Sequence, residues 1–228
     1  MNWLARFLRS SIGGKVLVAL TGVALLFFVI GHLLGNLQIF LGQDALNAYA
    51  KKLHDMPAVL WVARIGLLGA VGAHIVLSMR LAIANRAARP VPYATPATVQ
   101  ASFASRTMVY TGPMIAAFVL YHLLHFTFGV VQSDAAHLVD SAGRHDVYSM
   151  VVRGFQSPLI ALTYIVAMVL LGIHLKHGIT SLFQTLGLRH PRYDRLVGTV
   201  GGGLAWGLAI GNCAIPAAVL AGVVSLPS

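Results

Sequence analysis

Charge is scarce in this chain: 10% of its 228 residues are charged and 57% are hydrophobic, with a mean hydropathy of +0.79. Too little polar surface is left to wet a soluble domain of this size, so the composition is that of an integral membrane protein. A single cysteine, Cys213, excludes an internal disulfide, a cysteine-ligated iron–sulfur cluster and a structural zinc site of the usual kind. Any redox centre must therefore use histidine. Glutamate is absent, and the six aspartates all fall outside the long apolar stretches. That weighs against a transporter relaying protons or metal ions through intramembrane side chains, as does the lack of a visible inverted repeat.

A helix that crosses the bilayer takes roughly 20 apolar residues. Five segments reach that length, at about 14–40, 57–84, 107–131, 158–183 and 197–222. The remainder suffices only for short loops, so residues 1–228 read as one all-α membrane domain, a five-helix bundle. The first apolar run is too long for a cleavable signal and no small-residue cleavage site follows it, so it is expected to remain as span I.

The formal charge of +10 does not point to nucleic acid, because the Lys and Arg residues cluster at span ends with no aromatic-interleaved basic tract. Positive-inside asymmetry accounts for them. The N-terminal tail and the II–III and IV–V connections hold Arg6, Arg9, Lys15, Arg80, Arg86, Arg89, Arg106, Lys176, Arg189, Arg192 and Arg195 against one acid, Asp194. That side is expected to be cytoplasmic. The other loops balance Lys51, Lys52, Arg64, Arg144 and Arg153 against Asp44, Asp55, Asp134, Asp140 and Asp146, and are expected to face outward.

Residues 1–13 form a basic amphipathic lead, with Trp3, Leu4, Phe7 and Leu8 set against Arg6 and Arg9, suited to the interface or to a partner. Helical spacing of Leu46, Tyr49, Ala50 and Leu53 predicts a small surface helix between Gly42 and Met56, closed by Pro57. Arg89 to Pro96 is a proline-punctuated linker. Gln132 to Ser157 is the longest connection, and it is polar.

Four histidines, His32, His74, His122 and His174, each lie inside a different long apolar stretch. An imidazole there is costly without a partner and marks a cofactor or ion path by default. A six-coordinate haem iron takes one histidine from each of two helices, so four on four consecutive spans make two b-type haem sites. At 1.5 Å per residue, His32 and His122 lie roughly 7–8 Å and 4–5 Å outward of their span centres, and His74 and His174 roughly 5 Å inward. Depth pairs His32 with His122 and His74 with His174. Spacing leaves His125 as an alternative to His122, and His177 as an alternative to His174, each three residues on and nearly on the same face. His177, beside Lys176 near the headgroups, also suits a haem propionate or a lipid phosphate.

Glycines lie near these histidines, at Gly22, Gly31 and Gly35, at Gly66, Gly69 and Gly72, and at Gly172 and Gly178. They suit either close approach of a flat macrocycle or plain helix packing. Among the loop histidines, His54 beside Asp55 would serve a quinone at the outer mouth as a proton-handling pair, or would simply cap span II ahead of Pro57.

The run Asp146-Val147-Tyr148-Ser149-Met150-Val151-Val152-Arg153-Gly154-Phe155 resembles the cytochrome b subunit of succinate:quinone oxidoreductases. So do Gly172-Ile173-His174-Leu175-Lys176-His177-Gly178, Ser181 to Gly187, Gly31 to Asn36 and Tyr121-His122. The type is the five-helix, two-haem one that includes certain fumarate reductases, and the resemblance covers nearly the whole chain. It implies that His32, His122, His74 and His174 are the haem iron ligands, in the pairing that depth suggests. It also implies a flavoprotein carrying FAD and an iron–sulfur subunit on the cytoplasmic face of a bacterial inner membrane. Electrons would run from succinate through the inner and then the outer haem to quinone, menaquinone rather than ubiquinone. No catalytic residue for the dicarboxylate is expected in this chain, and such heterotrimers could associate further. Arg153 becomes a candidate propionate partner or an interfacial anchor. Some relatives carry a glutamate two residues before the fourth-span ligand for transmembrane proton transfer; Gly172 stands there instead.

Two rival readings remain at this level. A hydrogenase or formate dehydrogenase cytochrome b also places two haems between helices, with nickel or molybdenum in its soluble partners. A histidine-relay transporter would hold no haem.

Overall fold

The structure, a computed structural model, describes residues 2–89, 91 and 101–227. They form the helices α1 Trp3–Arg9, α2 Ser11–Asn36, α3 Gln43–His54, α4 Pro57–Ala87, α5 Phe103–His122, α6 Val147–Gln156, α7 Pro158–Thr185 and α8 Pro191–Leu220. Pairing of extended backbone among the described residues is an isolated bridge between Val139 and His145. Apart from Arg89 and Val91, the expected proline linker lies outside the described residues.

Five segments are long and apolar enough to cross a membrane: Ser11–Leu41, Pro57–Ala87, Phe103–Thr127, Pro158–Thr185 and Pro191–Leu220. Phe27, Val62, Leu68 and Leu159 point outward and are exposed, as side chains facing acyl chains must be. Local chemistry adjusts the expected ends. Span III stops short of 131 because its last turn widens into a π-turn, Leu123–Thr127, and Gly129 then takes a positive φ of 65°. Span V begins earlier than hydropathy suggests, because His190 accepts from the Arg192 amide and Pro191 occupies the first helical position.

Ser10 both ends α1 and caps α2. Its Oγ donates to Phe7 O at 2.6 Å and accepts from Gly13 N at 3.0 Å. A side chain at Gly13 would collide with the Phe7 carbonyl, which is why the tight corner needs glycine there. Arg80 on α4 then ties the corner down by donating to Arg9 O at 2.8 Å.

Three helix pairs dominate the packing: α2 against α4, α5 against α7, and α7 against α8. Small residues let α7 and α8 approach closely, with Gly201 against Ile179 and Gly172 against Ala209 and the Trp206 ring. At position 172 an added Cβ would stand 3.0 Å from Ala209, so the bundle has no room for a longer side chain there.

The connection between α5 and α7, expected to be simply polar, contains the amphipathic helix α6. Its buried face of Tyr148, Val152 and Phe155 packs with Ile39, Leu46, Ala161, Tyr164, Ile215 and Val219 into a core at the end of the bundle that also holds α3. Ten residues are too few to cross a bilayer, so a search for long apolar runs passes over α6.

Beneath α3 lies a polar knot. Asn47, fully buried, donates to Asp140 Oδ2 at 3.0 Å and Asp146 Oδ1 at 2.9 Å, and its Oδ1 accepts from Tyr148 N at 3.0 Å. Asp146 also caps α6 by accepting from Ser149 N at 3.0 Å, and Gln43 donates to it at 2.8 Å. Arg144 spans Asp140 and Asp44 at 2.8 Å each. Among the described residues no buried side-chain polar atom lacks a partner, as a dry interior requires.

Candidate functional site

The outer pair is built from α2 and α5. The His32 and His122 rings stand 5.7 Å apart at an interplanar angle of 88°. Phe28 stacks on His32 at 5.3 Å, while Phe118 and Phe126 flank His122 at 6.1 Å and 5.8 Å, so both rings sit in an apolar collar. Tyr164 of α7 places its hydroxyl 3.4 Å from His122 Nδ1.

His125 is differently employed. It is buried in the π-turn, with Nδ1 2.9 Å from the Tyr164 hydroxyl, Nε2 3.2 Å from Gln132 Oε1 and its ring stacked 3.9 Å from Phe126. Both of its nitrogens are engaged, which leaves no lone pair for a metal. The π-turn rotates His125 away from the face that carries His122. Geometry thus turns His122, and not His125, toward His32.

The inner pair is built from α4 and α7, each imidazole resting against a neighbouring helix. His74 Nδ1 lies 3.1 Å from Thr21 Oγ1 on α2, and His174 Nδ1 lies 3.2 Å from Thr111 Oγ1 on α5. Each threonine is followed by a glycine that lies beside the ring: an added Cβ would stand in ordinary contact with His74 Cε1 at 3.4 Å from Gly22 and with His174 Cε1 at 3.8 Å from Gly112. His174 is within electrostatic reach of both His74 and His177.

These residues suit a bis-imidazole metal centre. With metal–imidazole bonds of about 2 Å, rings on opposite sides of one ion stand roughly 6 Å apart centre to centre, near the 5.7 Å of the outer pair. Room exists as well. None of the 31 residues of α4 is buried, and α4 touches α5 only slightly. Among the described residues no group of three or more His, Cys, Asp or Glu is clustered for a metal held by protein alone, and a haem needs only two axial side chains.

The other expected residues are placed less centrally. His177 lies one turn beyond His174 on α7, partly buried. Arg153 is exposed on α6, away from the buried side formed by Val152 and Phe155. His54 and Asp55 are both exposed and are not joined: His54 Nδ1 bonds Ala50 O at 2.8 Å and Asp55 pairs with Lys51 at 2.7 Å. Of the glycines, Gly22 faces an imidazole, Gly35 faces Tyr49, and Gly172 serves helix packing. Gly31, Gly66, Gly69, Gly72 and Gly178 have open space where a side chain would go.

Thr21, Thr111, Gly112, Tyr164 and Gln132 escape a search for ionisable residues in apolar runs. One signal could have found the first three. Thr-Gly occurs at 21–22 and 111–112, eleven positions before His32 and His122 respectively. Eleven residues are close to three helical turns, so threonine and histidine share a face.

Comparison of the chain with protein-family models, curated proteins and solved structures returns no match.

Proposed function

We propose that this chain is the di-haem cytochrome b anchor of a succinate:quinone oxidoreductase in a bacterial cytoplasmic membrane. One arrangement carries the reading: four membrane-spanning helices each supply an imidazole, His32 facing His122 and His74 and His174 each braced by a threonine. His32 and His122 would hold one haem, and His74 and His174 the other. Haem so held would supply one-electron transfer between an iron–sulfur partner and quinone.

The chain's own residues supply the rest. Phe28, Phe118 and Phe126 exclude water from the outer pair, and Tyr164 orients His122. Arg153 and His177 remain candidates for propionates. The basic ends of the spans would dock the flavoprotein and iron–sulfur subunits. Exposed His54 and Asp55 would exchange protons with water on behalf of quinone. The choice of succinate as donor rests on the family likeness of residues 146–155 and 172–178.

The test is a reduced-minus-oxidised spectrum of the purified protein, with haem quantified per chain. Two b haems are expected. His74→Ala and His174→Ala should each remove the same one, and His32→Ala and His122→Ala the other. A colourless protein would overturn the haem reading, and depletion of different haems by His74→Ala and His174→Ala would overturn the pairing. Nickel or molybdenum in co-purifying subunits, in place of flavin, would move the chain to the hydrogenase or formate dehydrogenase type.

A further inference from the structure

The two inner imidazoles are held by the same device, used twice. In α2 the Thr21 hydroxyl lies 2.8 Å from Leu17 O and 3.0 Å from Val18 O, the carbonyls of its own preceding turn. A hydroxyl has one proton and two lone pairs. With its proton directed to the helix backbone, Thr21 Oγ1 can meet His74 Nδ1 only as an acceptor. A neutral His74 that donates from Nδ1 to this oxygen keeps its lone pair on Nε2. In α5, Thr111 Oγ1 is 3.5 Å from its own Met108 O and 3.2 Å from His174 Nδ1.

The repeat extends to the whole unit. Thr21-Gly22 precedes His32 by the same interval that separates Thr111-Gly112 from His122. The hairpins α2–α4 and α5–α7 thus each contribute one outer imidazole, one inner imidazole and a threonine-glycine seat for the inner one. A buried threonine hydroxyl would normally be satisfied by its own helix alone. Seating both inner histidines on such hydroxyls points to a requirement on the rings themselves.

We propose that Thr21 and Thr111 are matched positioning residues that fix His74 and His174 in the Nδ1-protonated tautomer, each turning its Nε2 lone pair toward one shared metal. The proposal rests on the haem reading above. Outer partners of this kind orient a ligand and raise its basicity, and their loss costs about 10–100-fold in metal affinity.

The experiment uses the complex as purified from membranes, carrying Thr21→Val, Thr111→Val, Thr21→Ser or Thr111→Ser. Haem content and the midpoint potential of each haem are read by redox titration. Valine keeps the shape of threonine but removes the oxygen. Each valine variant should move the inner potential positive, because a less basic imidazole stabilises the oxidised iron less, and should weaken inner haem retention about 10-fold or more. The outer haem, measured in the same sample, should stay as in the wild type, and each serine variant should restore the inner one. An inner haem unchanged in potential and retention in both valine variants would overturn the proposal. Serine variants as impaired as the valine ones would also overturn it, since shape and not the hydroxyl would then matter. If a valine variant loses both haems, the alanine variant, which removes the oxygen without filling space, carries the same expectation and the same refutation. A wild-type chain without haem would instead refute the function proposed above.

Discussion

Asp140 and Asp146 show what the buried knot beneath α3 demands of single residues. Burial by itself would raise the Asp140 carboxyl. The Arg144 amide and guanidinium, the Asn47 amide and the Ala142 N–H outweigh it and hold the carboxyl at about 2, against an ordinary 3.8. Burial likewise works against Asp146, and donors from Ser149, Asn47 and Gln43 bring it below the usual range. Both folded-state values lie below the unfolded ones, so the stabilisation is complete above about pH 4 and drains away as pH falls toward 2. The unfolding temperature of the detergent-solubilised protein should therefore be insensitive to these groups between pH 5 and 8 and drop steeply below pH 4. A profile with no loss between pH 4 and 2 would show that the knot does not hold its carboxylates ionised.

At the scale of elements, α6 is the piece that joins the outer loops to the bundle. Phe155 is 4% exposed and meets Phe126 at 5.6 Å and Tyr164 at 4.9 Å, both edge to face. Those two aromatics also surround His122 and His125. Phe155→Ala should cost roughly 3–5 kcal/mol of stability, as large aromatic truncations in cores do, and should loosen the outer pair before the inner one. Thermal denaturation, with the two haems of the proposed function followed separately, checks both parts. Equal release of the two proposed haems would show that α6 braces the whole bundle and not its outer end.

For the whole molecule, charge predicts the orientation of the bundle. Eleven of the sixteen Lys and Arg residues belong to the N-terminal end, the α4–α5 connection and the α7–α8 turn, and the positive-inside rule predicts that side to be cytoplasmic. In a Cys213→Ser background, single cysteines replacing Ser10 or Leu188 should react with an impermeant maleimide only in inverted vesicles. One replacing Ser133 should react only in right-side-out cells. Labelling of Ser133→Cys and Ser10→Cys from the same side would refute the five-span topology.

Hydropathy suffices to place the five spans and the four histidines within them, because bilayer thickness and the cost of bare backbone leave few arrangements for such a chain; charge adds the expected direction. Local punctuation suffices for α3, while the corner at Ser10 emerges only with the structure. Linear pattern could not choose between His122 and His125, three residues apart on one face. A widened π-turn, with Tyr164 from α7 and Gln132 from the loop beyond α5, engages His125 and leaves His122 as the ring that faces His32. Nor could it show α6, whose apolar face finds its partners only when α3, α7 and α8 meet. His54 and Asp55, neighbours in sequence, turn to separate partners on α3. Thr21 and Thr111 are ordinary in a helix until a second helix sets an imidazole against them, because a hydrogen bond between helices exists only where packing brings both atoms within about 3 Å.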